Sequence, residues 1–230
     1  MDNDWEGTPR VRLSVLDPGG VDTVNRSEHE FPLKRQKIVK YYLDADKNSL
    51  EKEPMEKTGN VSFISDDGKG NAVFTIQFQK ETEITGYSKT RLWMSTDKSN
   101  DMDIFIRLNK LDSNGKKLFA NYTNVYSGPN GRLRASHRET IEEKSTPLTP
   151  FHPHTREQLI APFEIIPVDI GIWPTSMRFH KGEQLQVEIS GFELRAAHGG
   201  PDLLETRNRG IHTIYTGDKY DSFILLPVIS

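Results

Sequence analysis

The chain has 230 residues, 27% of them charged, with 30 Lys and Arg set against 33 Asp and Glu for a formal charge of −3. That near balance makes no field suited to a phosphate backbone, which excludes nucleic acid as the expected partner, and no apolar run approaches the roughly 20 residues that a membrane-spanning helix needs. Cysteine is absent, so a disulfide framework, a thiolate metal site and a thiol nucleophile are excluded as well.

A chain of this length buries roughly 70 to 75% of its unfolded surface, enough for one large core, and a single domain over residues 1–230 is expected. The start, Met1-Asp2-Asn3-Asp4-Trp5-Glu6, is acidic and polar and resembles neither a secretory signal nor a transit peptide. With the missing cysteines this makes the cytoplasm the default expectation.

Taken in chain order, the first periodic segment is Val11, Leu13 and Val15 alternating with Arg12 and Ser14, followed by the turn Asp17-Pro18-Gly19-Gly20. Alternation of this kind is what a strand with one face in a core requires. Asp44 to Gly59, dense in Lys and Glu, reads as a long surface loop. The turn Asp66-Asp67-Gly68-Lys69-Gly70 precedes the alternation of Ile104, Ile106 and Leu108 with Phe105, Arg107 and Asn109. Ser113-Asn114-Gly115 and Gly128-Pro129-Asn130-Gly131 are further turns, where Gly and Asn supply positive φ.

Glu139 to His154 contains Pro147, Pro150 and Pro153 and reads as a second long loop, after which Thr155 to Ile160 could make one helical turn before Pro162. Ile166, Val168, Ile170 and Ile172 share one strand face, and Leu185, Val187 and Ile189 another. About ten strands joined by reversals, with no stretch of helical period, predict an all-β antiparallel jelly-roll sandwich of galactose-binding-domain-like type.

The chemistry-bearing residues are few. A serine nucleophile on a strained elbow needs Gly-x-Ser-x-Gly; the nearest approach, Gly86-Tyr87-Ser88-Lys89-Thr90, lacks the second Gly and precedes a strand. Ser136 and His137 are adjacent, so on a strand they point to opposite faces and do not form a pair. Arg132, Arg134 and Arg138 share a face if their run is extended, which suits carboxylate partners in a neighbouring strand or on another domain.

His152 and His154 have a spacing that metal sites use, but nothing nearby marks a third ligand. Asp97, Asn100, Asp101 and Asp103 offer hard oxygen donors that a structural calcium ion could use, without the Gly and final Glu of an EF-hand loop. Trp5, Trp93, Trp173 and the Tyr41-Tyr42 pair could stack on a sugar ring, although aromatics in alternating strands usually fill the core. No catalytic residue, metal or cofactor is assigned, and the domain-interface candidates are Arg132, Arg134, Ser136, His137 and Arg138.

Two longer stretches carry a resemblance: Gly131-Arg132-Leu133-Arg134-Ala135-Ser136-His137-Arg138, and the closing Ile214 to Ile229 with its Leu225-Leu226-Pro227 ending. Between and before them come Thr8-Pro9-Arg10-Val11-Arg12-Leu13, Phe31-Pro32, Tyr41-Tyr42-Leu43, Ile84-Thr85-Gly86, Arg91 to Thr96, Asp101 to Leu108, Phe179 to Leu185 and Asn208-Arg209-Gly210. In this order they resemble the C-terminal sandwich of X-Pro dipeptidyl-peptidases, cocaine-esterase-like (CocE/NonD) hydrolases and α-amino-acid ester hydrolases. One departure is Asn25-Arg26-Ser27, where that family usually places a Trp beside the Arg.

The resemblance implies a non-catalytic domain of a serine hydrolase whose α/β-hydrolase domain lies upstream in the same polypeptide. It also implies amide or ester cleavage by a Ser-His-Asp triad in the parent. The domain itself would then pack on the catalytic domain, wall part of the substrate cleft and contribute to contacts in a homo-oligomer. The alternative is a free-standing carbohydrate- or protein-binding module.

Overall fold

The computed structural model describes residues 5–120, 128–194 and 205–229. Thirteen strands make up its regular structure: β1 (Val11–Val15), β2 (Thr23–Glu28), β3 (Gln36–Asp44), β4 (Ser49–Glu51), β5 (Gly59–Ile64), β6 (Asn71–Gln77) and β7 (Thr82–Thr96). They continue with β8 (Asp103–Leu111), β9 (Asn130–Arg134), β10 (Ile166–Phe179), β11 (Gln184–Ser190), β12 (Ile211–Thr216) and β13 (Phe223–Ile229). Strands β1 and β2 form a hairpin apart, and the other eleven belong to one sheet rolled into a sandwich. No helix among the described residues is long and apolar enough to cross a membrane.

The long β7 organises one layer. Along one edge it pairs antiparallel with β10, and along the other with β13 and then β12. In the second layer β6, β11, β8 and β9 pair antiparallel in that order. The layers are joined through the β3-β4 hairpin and one parallel bridge from Ser49 to Thr75. At the other side β9 abuts β10 so closely that a Cβ on Gly131 would lie 2.4 Å from the Gly171 carbonyl oxygen.

Alternation governs what is buried. Ile166, Val168, Ile170 and Ile172 of β10, and Leu185, Val187 and Ile189 of β11, all face the core. There they meet Leu92, Met94, Phe74, Ile104 and Ile106 in one cluster. Each such side chain removed from water stabilises the fold by roughly 1.5–3 kcal/mol before ordering costs. In β8 both faces are buried: Lys110, on the same face as Ile106, meets the Asp17 turn, while Asn109, on the opposite face, donates to Gln186 and to Glu188, which Lys117 also reaches.

Several expectations need correction. The stretch Asp44 to Gly59 is not all loop: it contains β4, which pairs with β3 through a tight reversal. In that reversal the Asp44 carboxylate accepts the amides of Asp46 and Lys47, and Asn48 takes a positive φ. Such short strands explain why thirteen are present rather than about ten. Thr155 to Ile160 is irregular rather than helical. Glu139 to His154 is irregular as expected, save for a 3-10 turn at Glu142–Lys144.

Candidate functional site

The Arg-rich run begins on β9, where Arg134 stands opposite Asp103 and Arg132 opposite Phe105. Arg134 grips Asp103 with two bonds, Nε to Oδ1 at 2.8 Å and Nη2 to Oδ2 at 3.0 Å. This contact holds the guanidinium pKa above its ordinary value. The chain then leaves the strand in a 3-10 turn at Ala135–His137. Ser136 and His137 are therefore not strand neighbours, and Arg138 does not continue the Arg132–Arg134 face. Its Nη1 instead donates to the carbonyls of Ala135 and Gln158.

Ser136 is fully buried against Asp101: its Oγ donates to Oδ2 and its amide to Oδ1, both at 2.8 Å. His137 takes no part in that pair; its Nε2 lies 3.9 Å from Glu157 Oε1. The Ser136 hydroxyl is enclosed, and the carboxylate oxygen that accepts its proton also accepts Arg207 Nη1, so the group is held in a buried polar knot rather than presented at a surface. Here it ties the turn to the start of β8.

Of the four oxygen-bearing residues considered for calcium, Asp97, Asp101 and Asp103 have their carboxylates engaged within the domain. Asp101 accepts the Met102 amide, both Ser136 groups and Arg207 Nη1. Asp103 accepts Arg134 twice and the Arg207 amide, while Asp97 Oδ1 caps the Ile211 amide at 2.7 Å. Calcium requires six to eight oxygen ligands, and these carboxylates are already engaged by cations and amides. Asn208 completes the knot, its Oδ1 accepting the Asp103 amide and its Nδ2 donating to the carbonyls of Asp103 and Gly191.

The structure brings His137 to the His152–His154 pair, a neighbour that sequence spacing could not reveal. The His137 and His154 rings are 5.0 Å apart and those of His152 and His154 6.0 Å apart, beside a cavity of about 390 Å³ that Arg132 and Arg134 also line. Burial pushes the His152 imidazole below its ordinary pKa. The three rings do not converge as ligands. Among the described residues the group with ligand atoms all within 4.8 Å of one another is Asp17, His180 and Glu183.

That group already holds a cation. Lys110, fully buried, places its Nζ 2.6 Å from Asp17 Oδ1 and 2.8 Å from Glu183 Oε2, while His180 Nε2 lies 2.9 Å from Asp17 Oδ2. Burial pushes the Asp17 carboxyl up, but the hydrogen bonds from Lys110 and His180 outweigh it and hold the pKa below the usual range. Sequence reading singled out both flanks of this cluster, the Asp17 turn and the Phe179–Leu185 stretch. Only the fold joins them through a lysine on a third segment.

Ser88 lies buried within β7, opposite Ile172 of β10. The aromatics divide: Tyr41 is in the core, Trp93 donates its Nε1 to Asp221 at 3.0 Å and packs on Tyr220, and Trp173 is 74% exposed. Trp173 stands at a slip in the β10–β7 register between Ile172 and Thr175. It lines a cavity of about 220 Å³, which shares Tyr87, Leu148 and Thr149 with an adjoining cavity of about 440 Å³.

Such a molecule is a β-sandwich module whose buried polar clusters fasten its own strands together. Comparison with known proteins gives the same class. The family model of the X-Pro dipeptidyl-peptidase C-terminal non-catalytic domain matches residues 3–225, and the chain belongs to that family. No curated protein sequence matches it.

Among solved structures, a CocE/NonD family hydrolase from Staphylococcus aureus superposes with a TM-score of 0.92 at 34% identity, covering 100% of this chain and 43% of that one. An aminopeptidase from a marine sediment archaeon, Thaumarchaeota archaeon, gives 0.65 at 14% identity over 90% of this chain and 39% of its own. An α-amino acid ester hydrolase gives 0.57 at 15% identity over 83% of this chain and 36% of its own. The latter two share the fold. The chain spans less than half the length of each of these proteins.

Proposed function

We propose that residues 1–230 form one sandwich domain at the C-terminal end of a serine hydrolase, packed against an α/β-hydrolase domain of the same polypeptide and walling part of its substrate cleft. The parent would cleave amides or esters through a triad carried by that other domain. One observation carries this reading: the whole chain matches a CocE/NonD family hydrolase at 34% identity while accounting for 43% of that protein's length. The engagement of Asp101, Asp103, Arg134 and Ser136 with one another supports a structural rather than catalytic duty for them.

The test is to capture the endogenous protein with an antibody to this domain, measure its intact mass and expose it to a fluorophosphonate that labels activated serines. A product well above 26.3 kDa that takes up the probe is expected. A 26.3 kDa product that stays unlabelled would sink the hydrolase reading and leave the free-standing binding module in its place.

A further inference from the structure

A sandwich in a longer hydrolase must give up one of its faces to the rest of that polypeptide. We propose that this face is the groove around Tyr87, Leu148 and Trp173, with an apolar ridge of the remaining hydrolase polypeptide seated in it. The inference rests on the hydrolase reading and adds to it the place of contact.

Charge is the first argument. Of the residues lining the two adjoining cavities none is charged, in a chain that is 27% charged. Other hollows differ: the one beside the histidines is lined by Asp103, Arg132, Arg134 and Glu205. Another, of about 830 Å³, is ringed by Lys47, Glu51, Lys52, Glu53 and Lys80. Depletion of charge together with exposed aromatics marks the buried centre of a protein interface.

The groove's construction is the second. Where β10 slips its register, Trp173 and Pro174 are set outward rather than into the core, and the indole stays 74% exposed. Phe31 and Ile38, 41% and 46% exposed, extend the apolar surface past Tyr87, whose ring lies 5.9 Å from that of Phe31. An exposed Trp contributes little to a lone domain, whereas Trp at the centre of an interface is among the strongest anchors.

Rigidity is the third. One wall is the Thr146–Thr149 turn, closed by the Thr149 amide donating to Thr146 Oγ1 at 3.0 Å. Ser145 Oγ braces it by donating to the Ile141 carbonyl at 2.7 Å and accepting the Phe151 amide at 2.9 Å. A preformed groove loses little conformational freedom on docking. The Arg-rich run offers less, since Arg134 and Arg138 are bonded inside the domain.

Length argues the occupant. Since this chain accounts for 43% of the S. aureus hydrolase, more than half of a polypeptide of that kind lies outside the sandwich, tethered to it at high effective concentration.

The test is hydroxyl-radical footprinting of the captured endogenous polypeptide, following Trp173 and, at the far end of β7, Phe163, which is 71% exposed. Each residue's oxidation rate is normalised to its own rate in the urea-unfolded chain. In a polypeptide well above 26.3 kDa, Trp173 is expected to react several-fold slower than its unfolded reference while Phe163 stays near its own. Trp173 reacting at its reference rate in that long polypeptide would overturn the docking face and leave the hydrolase reading standing. A 26.3 kDa product overturns both if Trp173 is reactive, and assigns the groove to a second copy, also against the proposal, if protection grows with concentration.

A variant guards the result. In the long polypeptide Trp173→Ser, at an exposed position, is expected to leave the sandwich's own melting transition in place. It should split off an earlier transition for the part that carries the labelled serine. A single unchanged transition would count against the face.

Discussion

Lys110 Nζ lies 2.6 Å from Asp17 Oδ1, with both side chains out of water and their positions 93 apart in sequence. Glu183 on a third segment takes the same ammonium. Removing one member of a buried ion pair leaves its partner charged and unpaired, which costs about 3–5 kcal/mol. Lys110→Met should therefore lower stability by that order in urea unfolding. The double variant Lys110→Met with Asp17→Asn should recover part of the loss; equal loss in both would show that the pairing contributes nothing.

His212 is fully buried, has neither ring nitrogen hydrogen-bonded, and packs edge-on against Phe63. Burial lowers its pKa to about 4, with Asp103, Asp66 and Asp97 pulling weakly the other way. The folded state thus resists a proton that the unfolded chain accepts near pH 6.5, so stability falls as pH drops from about 6.5 to about 4. The full loss is about 3 kcal/mol. Asp17, Glu83 and Glu188, whose pKa values are lowered on folding, add their own losses at lower pH. The difference between wild type and His212→Phe across that window isolates the histidine, and parallel curves would refute the assignment.

Calcium should leave the domain's melting temperature unchanged, because the carboxylates of Asp101 and Asp103 already face Arg134, Arg207 and backbone amides. An ion bound at about a hundredfold over its Kd would add about 2.7 kcal/mol. Thermal shift with added calcium and then with chelator distinguishes the cases, and a calcium-dependent rise would mean that the knot opens to admit the ion.

Gly86 in β7 has φ +138°, and a Cβ there would lie 2.5 Å from Gln36 Oε1 and 3.1 Å from Pro227 Cβ. The glutamine can move aside; the proline ring beside it cannot. Gly86→Ala should cost about 1–3 kcal/mol, chiefly from a backbone conformation that L-residues avoid. Unchanged urea unfolding would show that the strand relaxes at no cost.

Much of the architecture was legible in the residues themselves. The alternation in Ile166 to Ile172 and Leu185 to Ile189 predicted their buried faces because period-two patterning is a local property of a strand lying on a core. Motif order likewise pointed to the family. What remained hidden depends on which segments meet. The charged stretch after Asp44 folds back as a strand because β3 offers it an edge, and Ser136 leaves its strand because Asp101 gathers both of its donors. Lys110 is tolerated in the core because two carboxylates arrive from segments 93 and 73 residues away. The Trp173 groove is closed by a proline-rich stretch that sequence reads only as loop. Local pattern determined the strands and their inward faces; tertiary contact alone decided which polar groups are paired and which apolar surface is left for a partner, since both depend on neighbours far apart in the chain.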